Sequence, residues 1–461
     1  MNKTYLATAL GSAIGLLLSS SVGCGGDGAS SSNDGISSAE TSADSNSNDN
    51  AETSDSNDEG PTDTADPSET SADDNDDNDD NDDDEGPKAK FDLGIIPDAG
   101  PLHCGDGGGD NPEFSYLWAA NSTQGTISKI DTKTVTEVGR FITRPDLNGS
   151  PSRTSVSLSG HVAVANRNGG VAKIYANPEL CAESNGMPGI QTSTNNQYLP
   201  WDQEECRAWY TQMNYVSQRP VAWASGKFSQ GTCQWEDEEL WTSGNNQGAT
   251  IDIILLDGDD GSIKEMVQVP ANNQPTGLEQ DYFGIYGGAS DGDGNFWGSQ
   301  LGSGKLVRVN RSDMTYDIFN AGPWGGWYGM TVDADGMVWL CSSEAGRFDP
   351  ETETWTQAYV GGHTGCMADA AEGGLLWMSN GSGVVGVNRD TLAVEKTCNG
   401  PGSYGVSIDF EGYVWAVAYG NTATKFDPET CQTWSYNGLV GAYTYSDMTG
   451  YALSNAGSPS G

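Results

Sequence analysis

Between Gly329 and Trp355 a short apolar run leads into Asp333-Ala-Asp-Gly336, and a second apolar run carries Trp339. Arg347-Phe-Asp-Pro-Glu-Thr352 then opens a corner before one more stretch that ends in Trp355. The same order returns at Gly405–Trp434, with Asp409-Phe-Glu-Gly412, Trp415 and Lys425-Phe-Asp-Pro-Glu-Thr430. Runs of this length, broken by Asp/Gly turns, predict short antiparallel strands rather than helices. Recurrence at about 40 residues predicts one small sheet per repeat, arranged as the blades of a β-propeller.

Two landmarks count the blades. The second strand of each repeat reads Tyr116-Leu-Trp118, His161-Val-Ala-Val164, Glu239-Leu-Trp241, Asn295-Phe-Trp297, Met337-Val-Trp339, Leu375-Leu-Trp377 and Tyr413-Val-Trp415. The third reads Ile127–Asp131, Val171–Tyr175, Ile251–Leu255, Leu306–Asn310, Gly346–Asp349, Val385–Asn388 and Lys425–Asp427. Both series predict seven blades, so the expected fold class is all-β, a seven-bladed β-propeller. The Gly/Asp-rich stretch before Trp118 cannot be an inner strand, whereas Tyr443–Leu453 matches the start of a blade such as Tyr404–Asp409. A C-terminal strand is therefore expected to complete the first blade and close the ring.

The spacing breaks once, and residues 178–220 are expected to form an insertion. It contains Cys181 and Cys206, whose pairing would staple so long a loop. Cys341, at the end of one second strand, and Cys366, at the start of the next blade, are placed to meet on one face. The chain has nine cysteines. Eight remain when Cys24 is set aside, an even number that in an exported protein predicts disulfides.

Composition adds a leader and a spacer. Residues 1–24 hold Lys3, an apolar run Leu6–Leu18 and the ending Val22-Gly23-Cys24, a lipoprotein-type signal peptide in which Cys24 is acylated. The residues after Cys24 fit sorting to the outer membrane or cell surface of a Gram-negative bacterium, with the lipid as the only membrane contact. Residues 25–100 are almost free of apolar groups, and residues 25–87 carry 22 Asp and Glu without a Lys or Arg. Such a segment is expected to be a disordered, extended linker. It leaves residues 101–461 for the propeller. A net charge of −44 argues against nucleic acid as a partner.

Candidate chemistry is sparse. Asp257–Gly261, Asp291–Asn295 and Asp333–Gly336 look like the front of a calcium loop but lack the later Glu, and they also suit hairpin turns. With three histidines in the chain, no metal site is assigned and no cofactor is required; Mg²⁺ or Ca²⁺ are the ions left open. The starts of the inner strands are richer. Tyr286, Trp324, Trp327, Tyr328 and Tyr404, interleaved with glycines, are expected to ring the central channel, where ligands bind. His363 is placed beside them, and with Glu344 on the neighbouring blade it could form a base and its orienter.

Blades of the form G-x-x-x-D-x-[DEG]-G-x-x-W followed by [KR]-[FIV]-[DN] resemble the streptogramin lyase (virginiamycin B lyase) group of seven-bladed propellers. The resemblance spans about 114–455 and is best at Gly329–Asp349 and Gly405–Asp427. It implies the fold, and an activity in which His and Glu near the channel, with Mg²⁺, open a cyclic depsipeptide by elimination. Those repeats carry an acid three residues after the Trp, where this chain has Asn121, Gly244, Gln300, Ser342, Asn380 and Ala418. His161 lies in a strand landmark and His103 precedes the first blade, so only His363 survives as a match. The reading expected is a binding module for a small ligand, glycan or protein outside the cell. The alternative is a lyase or hydrolase acting on a cyclic peptide or glycan.

Overall fold

The computed structural model describes residues 115–456 except 230, 231, 233, 303, 304 and 323–325. The leader with Cys24, the linker and Trp324 lie outside the described residues.

Seven antiparallel sheets follow one another along the chain. Blade 1 has three strands, Tyr116–Asn121, Thr126–Asp131 and Thr136–Ile142. Blades 2 to 7 have four each, and their inner strands are Pro151–Val156, Ser217–Ala224, Ile285–Ser290, Gly329–Val332, Cys366–Ala368 and Gly405–Ile408. All seven second-strand and all seven third-strand landmarks fall where the pattern put them. A two-stranded hairpin, Lys227–Ser229 with Gln234–Glu236, interrupts blade 3.

The Asp-to-Trp signature has a physical cause. In blades 4, 5 and 7 the turn aspartate accepts two backbone N–H groups through Oδ1, as Asp409 does from Glu411 and Tyr413. Its Oδ2 accepts the indole N–H of the Trp six residues on: Trp297 to Asp291 at 2.8 Å, Trp339 to Asp333 at 2.7 Å and Trp415 to Asp409 at 2.8 Å. One carboxylate thus caps the turn and satisfies a buried donor that would otherwise destabilise the core. Asp257, Asp291 and Asp333, the first carboxylates of the stretches that imitated a calcium loop, each accept a backbone N–H of their own turn.

The basic residue of the third strand stitches blades together. Lys129, Lys173, Arg347 and Lys425 donate to Ala176, Gly258, Arg389 and Thr132 carbonyls at 2.6–2.8 Å, each in the next blade round the ring. Each also lies over a Trp of the packed sheets, as Lys425 does over Trp415 at 5.8 Å. Burial lowers the pKa of Lys129 to about 8, against the opposing charge of Asp131. At the axis, glycines admit the neighbouring backbone. A Cβ on Gly329, Gly365 or Gly405 would stand 2.1–2.4 Å from the carbonyl oxygen of Thr364, Tyr404 or Thr444.

The C-terminal segment completes blade 1, as expected, though not as a regular strand. Tyr443 N donates to Ala120 O at 3.1 Å and Trp118 N to Met448 O at 2.8 Å. A regular ladder from the first bond would put Tyr445, not Met448, opposite Trp118, so the segment bulges between them. The chain then ends the described region in a short helix, Tyr451–Asn455, whose Tyr451 hydroxyl reaches Asp369.

The expected insertion at 178–220 is corrected at its C-terminal end. Arg207–Thr211 is the outer strand of blade 2, and Ser217–Ala224 is the inner strand of blade 3. An outer strand rich in Trp and Tyr did not stand out from the aromatic loop before it. The loop proper is held by buried Glu204 and Glu205, whose carboxylates accept backbone N–H groups of Ser193, Cys206, Ser184, Asn185 and Gln191. Disulfides join Cys181 to Cys206 and Cys341 to Cys366, as predicted. Cys398–Cys431 is a third that the sequence left open. Such bonds belong to an extracellular or periplasmic protein. Among the described residues no helix is long and apolar enough to cross a membrane.

Candidate functional site

The starts of the inner strands converge on one end of the channel. Tyr286, Tyr328 and Tyr404 each stand eleven residues before the Trp of their blade, so register alone puts them at equivalent positions. Tyr443 arrives from the C-terminal segment and is the centre of a phenol cluster. Its hydroxyl pairs with those of Tyr286 at 2.8 Å, of Tyr445 at 3.2 Å and of Tyr328. Tyr286 belongs to blade 4 and Tyr443 to blade 1, so these bonds cross the channel and floor its mouth.

Beneath them lies Arg153, on the inner strand of blade 2 and 1% exposed. It donates to the backbone carbonyls of Tyr445, Tyr286 (2.6 Å) and Tyr328 (3.5 Å). Its guanidinium also sits 3.3 Å from the Tyr445 ring centre. The bulge in the closing segment is what carries Tyr445 there. Arg219, on the inner strand of blade 3, lies over Phe283 at 4.6 Å and Tyr286 at 4.8 Å. Arg167 lies over Tyr443 at 5.0 Å and is held by Ser150.

Burial, reinforced by the neighbouring phenols, raises the pKa of Tyr286 and Tyr328 and pushes Tyr443 up to about 12. Burial opposes ionisation of Tyr445 as well, but the charges of Arg153 and Arg219 together with hydrogen bonds with Tyr286 and Tyr443 lower that pKa. The phenols of Tyr286, Tyr328 and Tyr443 are therefore neutral donors and acceptors at physiological pH, suited to hydrogen bonding and ring contact.

The other candidates divide. Trp327 is 1% exposed, stacked on Trp355 with its indole N–H on Ala321 O, and fills the space between blades. His363 is exposed, edge-on to Tyr404 at 4.8 Å, with Nδ1 3.4 Å from Ser403 O. Glu344 is buried, its pKa raised by that burial, and Gln357 is its hydrogen-bond partner. No hydrogen bond or ion pair joins His363 and Glu344. His161 is buried, with Nδ1 accepting from Ala176 N, and burial followed by the charges of Lys173 and Lys129 lowers its pKa to about 3. Among the described residues no three His, Cys, Asp or Glu are grouped for a metal ion.

Sequence reasoning missed Arg153, Arg167, Arg219, Tyr443 and Tyr445. Counting back eleven residues from Ala163, which stands in place of the Trp in blade 2, gives Ser152; Arg153 stands one residue on, at the position of Gly329 and Gly405, and so is not found by that count.

No protein-family model matches the sequence, nor does any curated protein. Among solved structures the chain is similar to a streptogramin B lyase, at 13% identity and a TM-score of 0.41 over 63% of this chain and 83% of that one. It is also similar to a catalytically inactive virginiamycin B lyase from Staphylococcus aureus with quinupristin, at 15% identity and a TM-score of 0.39 over 70% and 88%. A functionally unknown protein from Desulfotomaculum acetoxidans is similar at 12% identity and a TM-score of 0.48 over 72% and 98%. Each is a likeness of fold alone.

Proposed function

We propose that this protein is an exported lipoprotein, anchored through Cys24, whose propeller binds a ligand at the tyrosine-lined end of its channel. The observation that carries the reading is the convergence of Tyr286, Tyr328, Tyr404 and Tyr443 from four blades, with Tyr419 exposed beside them. Fold stability does not require rings at a solvent-facing rim. Tyr419 is 65% exposed, with its ring 5.6 Å from that of Tyr404. Exposed rings with polar tips are the usual furniture of sites for sugars, peptides and aromatic molecules.

The test is a thermal-shift screen of the full mature chain against soluble glycans, short peptides and aromatic metabolites. A hit should saturate, and Tyr404→Ala with Tyr419→Ala should weaken it about tenfold or more. A screen without saturable hits, or hits indifferent to both substitutions, would remove the mouth as the site. The anchor has its own check: labelled palmitate incorporation that is lost in Cys24→Ser.

A second reading is a lyase or hydrolase with His363 as base, favoured by the exposure of that imidazole next to Tyr404. Glu344 would need to move to orient it. Turnover of a cyclic depsipeptide, with or without added Mg²⁺, that vanishes in His363→Ala would establish it.

A further inference from the structure

The arginines at the mouth stand out against the charge of the whole chain. Asp and Glu number 65 against 21 Lys and Arg. A guanidinium on this protein therefore finds a carboxylate easily, and Arg140, Arg144, Arg308, Arg311, Arg347 and Arg389 each do. Four arginines form no ion pair among the described residues: Arg207, which lies over Trp201 in the blade 2 loop, and Arg153, Arg167 and Arg219, which lie against the rings of the channel mouth.

Hydrogen bonds separate the three at the mouth. Arg153 gives both Nη groups to three carbonyls, which leaves only its buried Nε without a partner, and is structural. Arg167 gives Nε and one Nη to Ser150. Arg219 gives only Nε, to Ser217 Oγ at 3.2 Å, and its two Nη groups have no protein acceptor among the described residues. Yet Arg219 is only 7% exposed. Asp281 is close enough for Arg219 to lower its pKa, although burial prevails and raises it. But Asp281 Oδ1 is turned onto Gly284 N at 2.6 Å, and it forms no ion pair with Arg219. Neither Nη is among the fully buried, unpartnered side-chain nitrogens, so the fork opens toward the mouth, where an anion can meet it. The planar fork matches a carboxylate with two parallel hydrogen bonds.

The surroundings say what the carboxylate is attached to. Phe283 lies under the Arg219 guanidinium, and Tyr282 packs edge-on against Phe283 at 5.3 Å while remaining 53% exposed. These rings offer an apolar surface beside the charge. We infer that the channel mouth takes a small aromatic carboxylate, its carboxylate on the Arg219 fork and its ring against Phe283 and Tyr282. This rests on the reading of the mouth as a ligand site and narrows the ligand class.

The experiment compares phenylacetate with phenylacetamide, and with phenyl phosphate, by calorimetric titration of the full mature chain. Phenylacetate should bind at least tenfold more tightly than the other two. The preference over the amide should fall to about one in Arg219→Gln and persist in part in Arg219→Lys. Melting curves of both variants establish that they are folded. Equal binding of acid and amide, tighter binding of the phosphate, or a preference untouched by Arg219→Gln would overturn the inference. Failure of all three probes, while a neutral hit from the wider screen still binds through Tyr404, would overturn it and leave the mouth standing as a ligand site.

Discussion

Blades 5 and 7 and blades 2 and 3 solve one packing problem with different residues. In blades 5 and 7 a turn aspartate holds an indole N–H, and a glycine lets the next inner strand approach. In blade 2 Ser157 takes the place of the aspartate and Ala163 that of the Trp. His161 holds the Ala176 amide, and the inner strand presents Arg153. In blade 3 the first turn is replaced by a hairpin, and the Trp241 indole donates to Gly294 O of the next blade. The regular blades carry the fold and bring Tyr286, Tyr328 and Tyr404 to the mouth at one repeated position. The irregular ones, with the closing segment, supply the arginines and the bulged tyrosine of the mouth. Departure from the repeat therefore marks the charged side of the candidate site, as expected where function overrides local consistency.

The closing segment offers the largest test. Removing residues 441–461 exposes blade 1 and strips Tyr445, Met448, Tyr451 and Leu453 from the core. At about 1.5–3 kcal/mol for each buried side chain, the loss is about 6–12 kcal/mol. Arg153 also loses a carbonyl partner. Calorimetry should find the cooperative melt shifted far down or abolished, and an unchanged melting temperature would sink the closure.

The regular blades break next. Asp409 is buried and holds Trp415 and the Lys425 ammonium, the latter at 3.2 Å. Asp409→Ala leaves that cation without its counter-ion and should cost about 3–5 kcal/mol by denaturant titration. Asp291→Ala loses the turn cap and the indole partner but no ion pair, so it should cost less, about 1–3 kcal/mol. Equal costs would mean that Lys425 contributes nothing through Asp409.

These same features decide what could be read in advance. Blade number, strand order, ring closure and two disulfides were legible because turn chemistry and Trp spacing are local. Tyr286, Tyr328 and Tyr404 were legible as channel residues for the same reason. Trp327 looked equivalent to them, but it precedes Tyr328 by one residue and so faces the packing between blades. Arg219 was hidden inside what read as an insertion. Tyr445 depends on a bulge, which follows from how two distant segments meet rather than from either sequence.

Glycine at the axis gives a smaller effect. Gly365 N donates to Tyr404 O at 2.7 Å, and a Cβ there would meet that oxygen at 2.4 Å. Gly365→Ala should force the inner strands of blades 6 and 7 apart and cost about 1–3 kcal/mol. Ligand affinity at Tyr404 should fall with it. By contrast Gly373→Ala, in a turn with open space around it, should cost less and through its positive φ alone.

The smallest effect separates blade 2 from the rest by pH. His161 is neutral in the fold, with its pKa lowered to about 3 from an ordinary value of 6.5. As pH falls below 6.5 the unfolded chain takes up a proton that the folded chain refuses. Its contribution to stability is thus fully present above 6.5 and is lost on the way down toward 3. The loss is on the order of 1 kcal/mol at pH 5.5 relative to pH 7. His161→Gln keeps an acceptor near the Ala176 amide but has no proton to gain. Its melting temperature should therefore fall less between pH 7 and pH 5.5 than that of the parent. If the two fall in parallel, His161 takes up its proton without unfolding, and blade 2 is no more acid-sensitive than the aspartate-capped blades it is compared with.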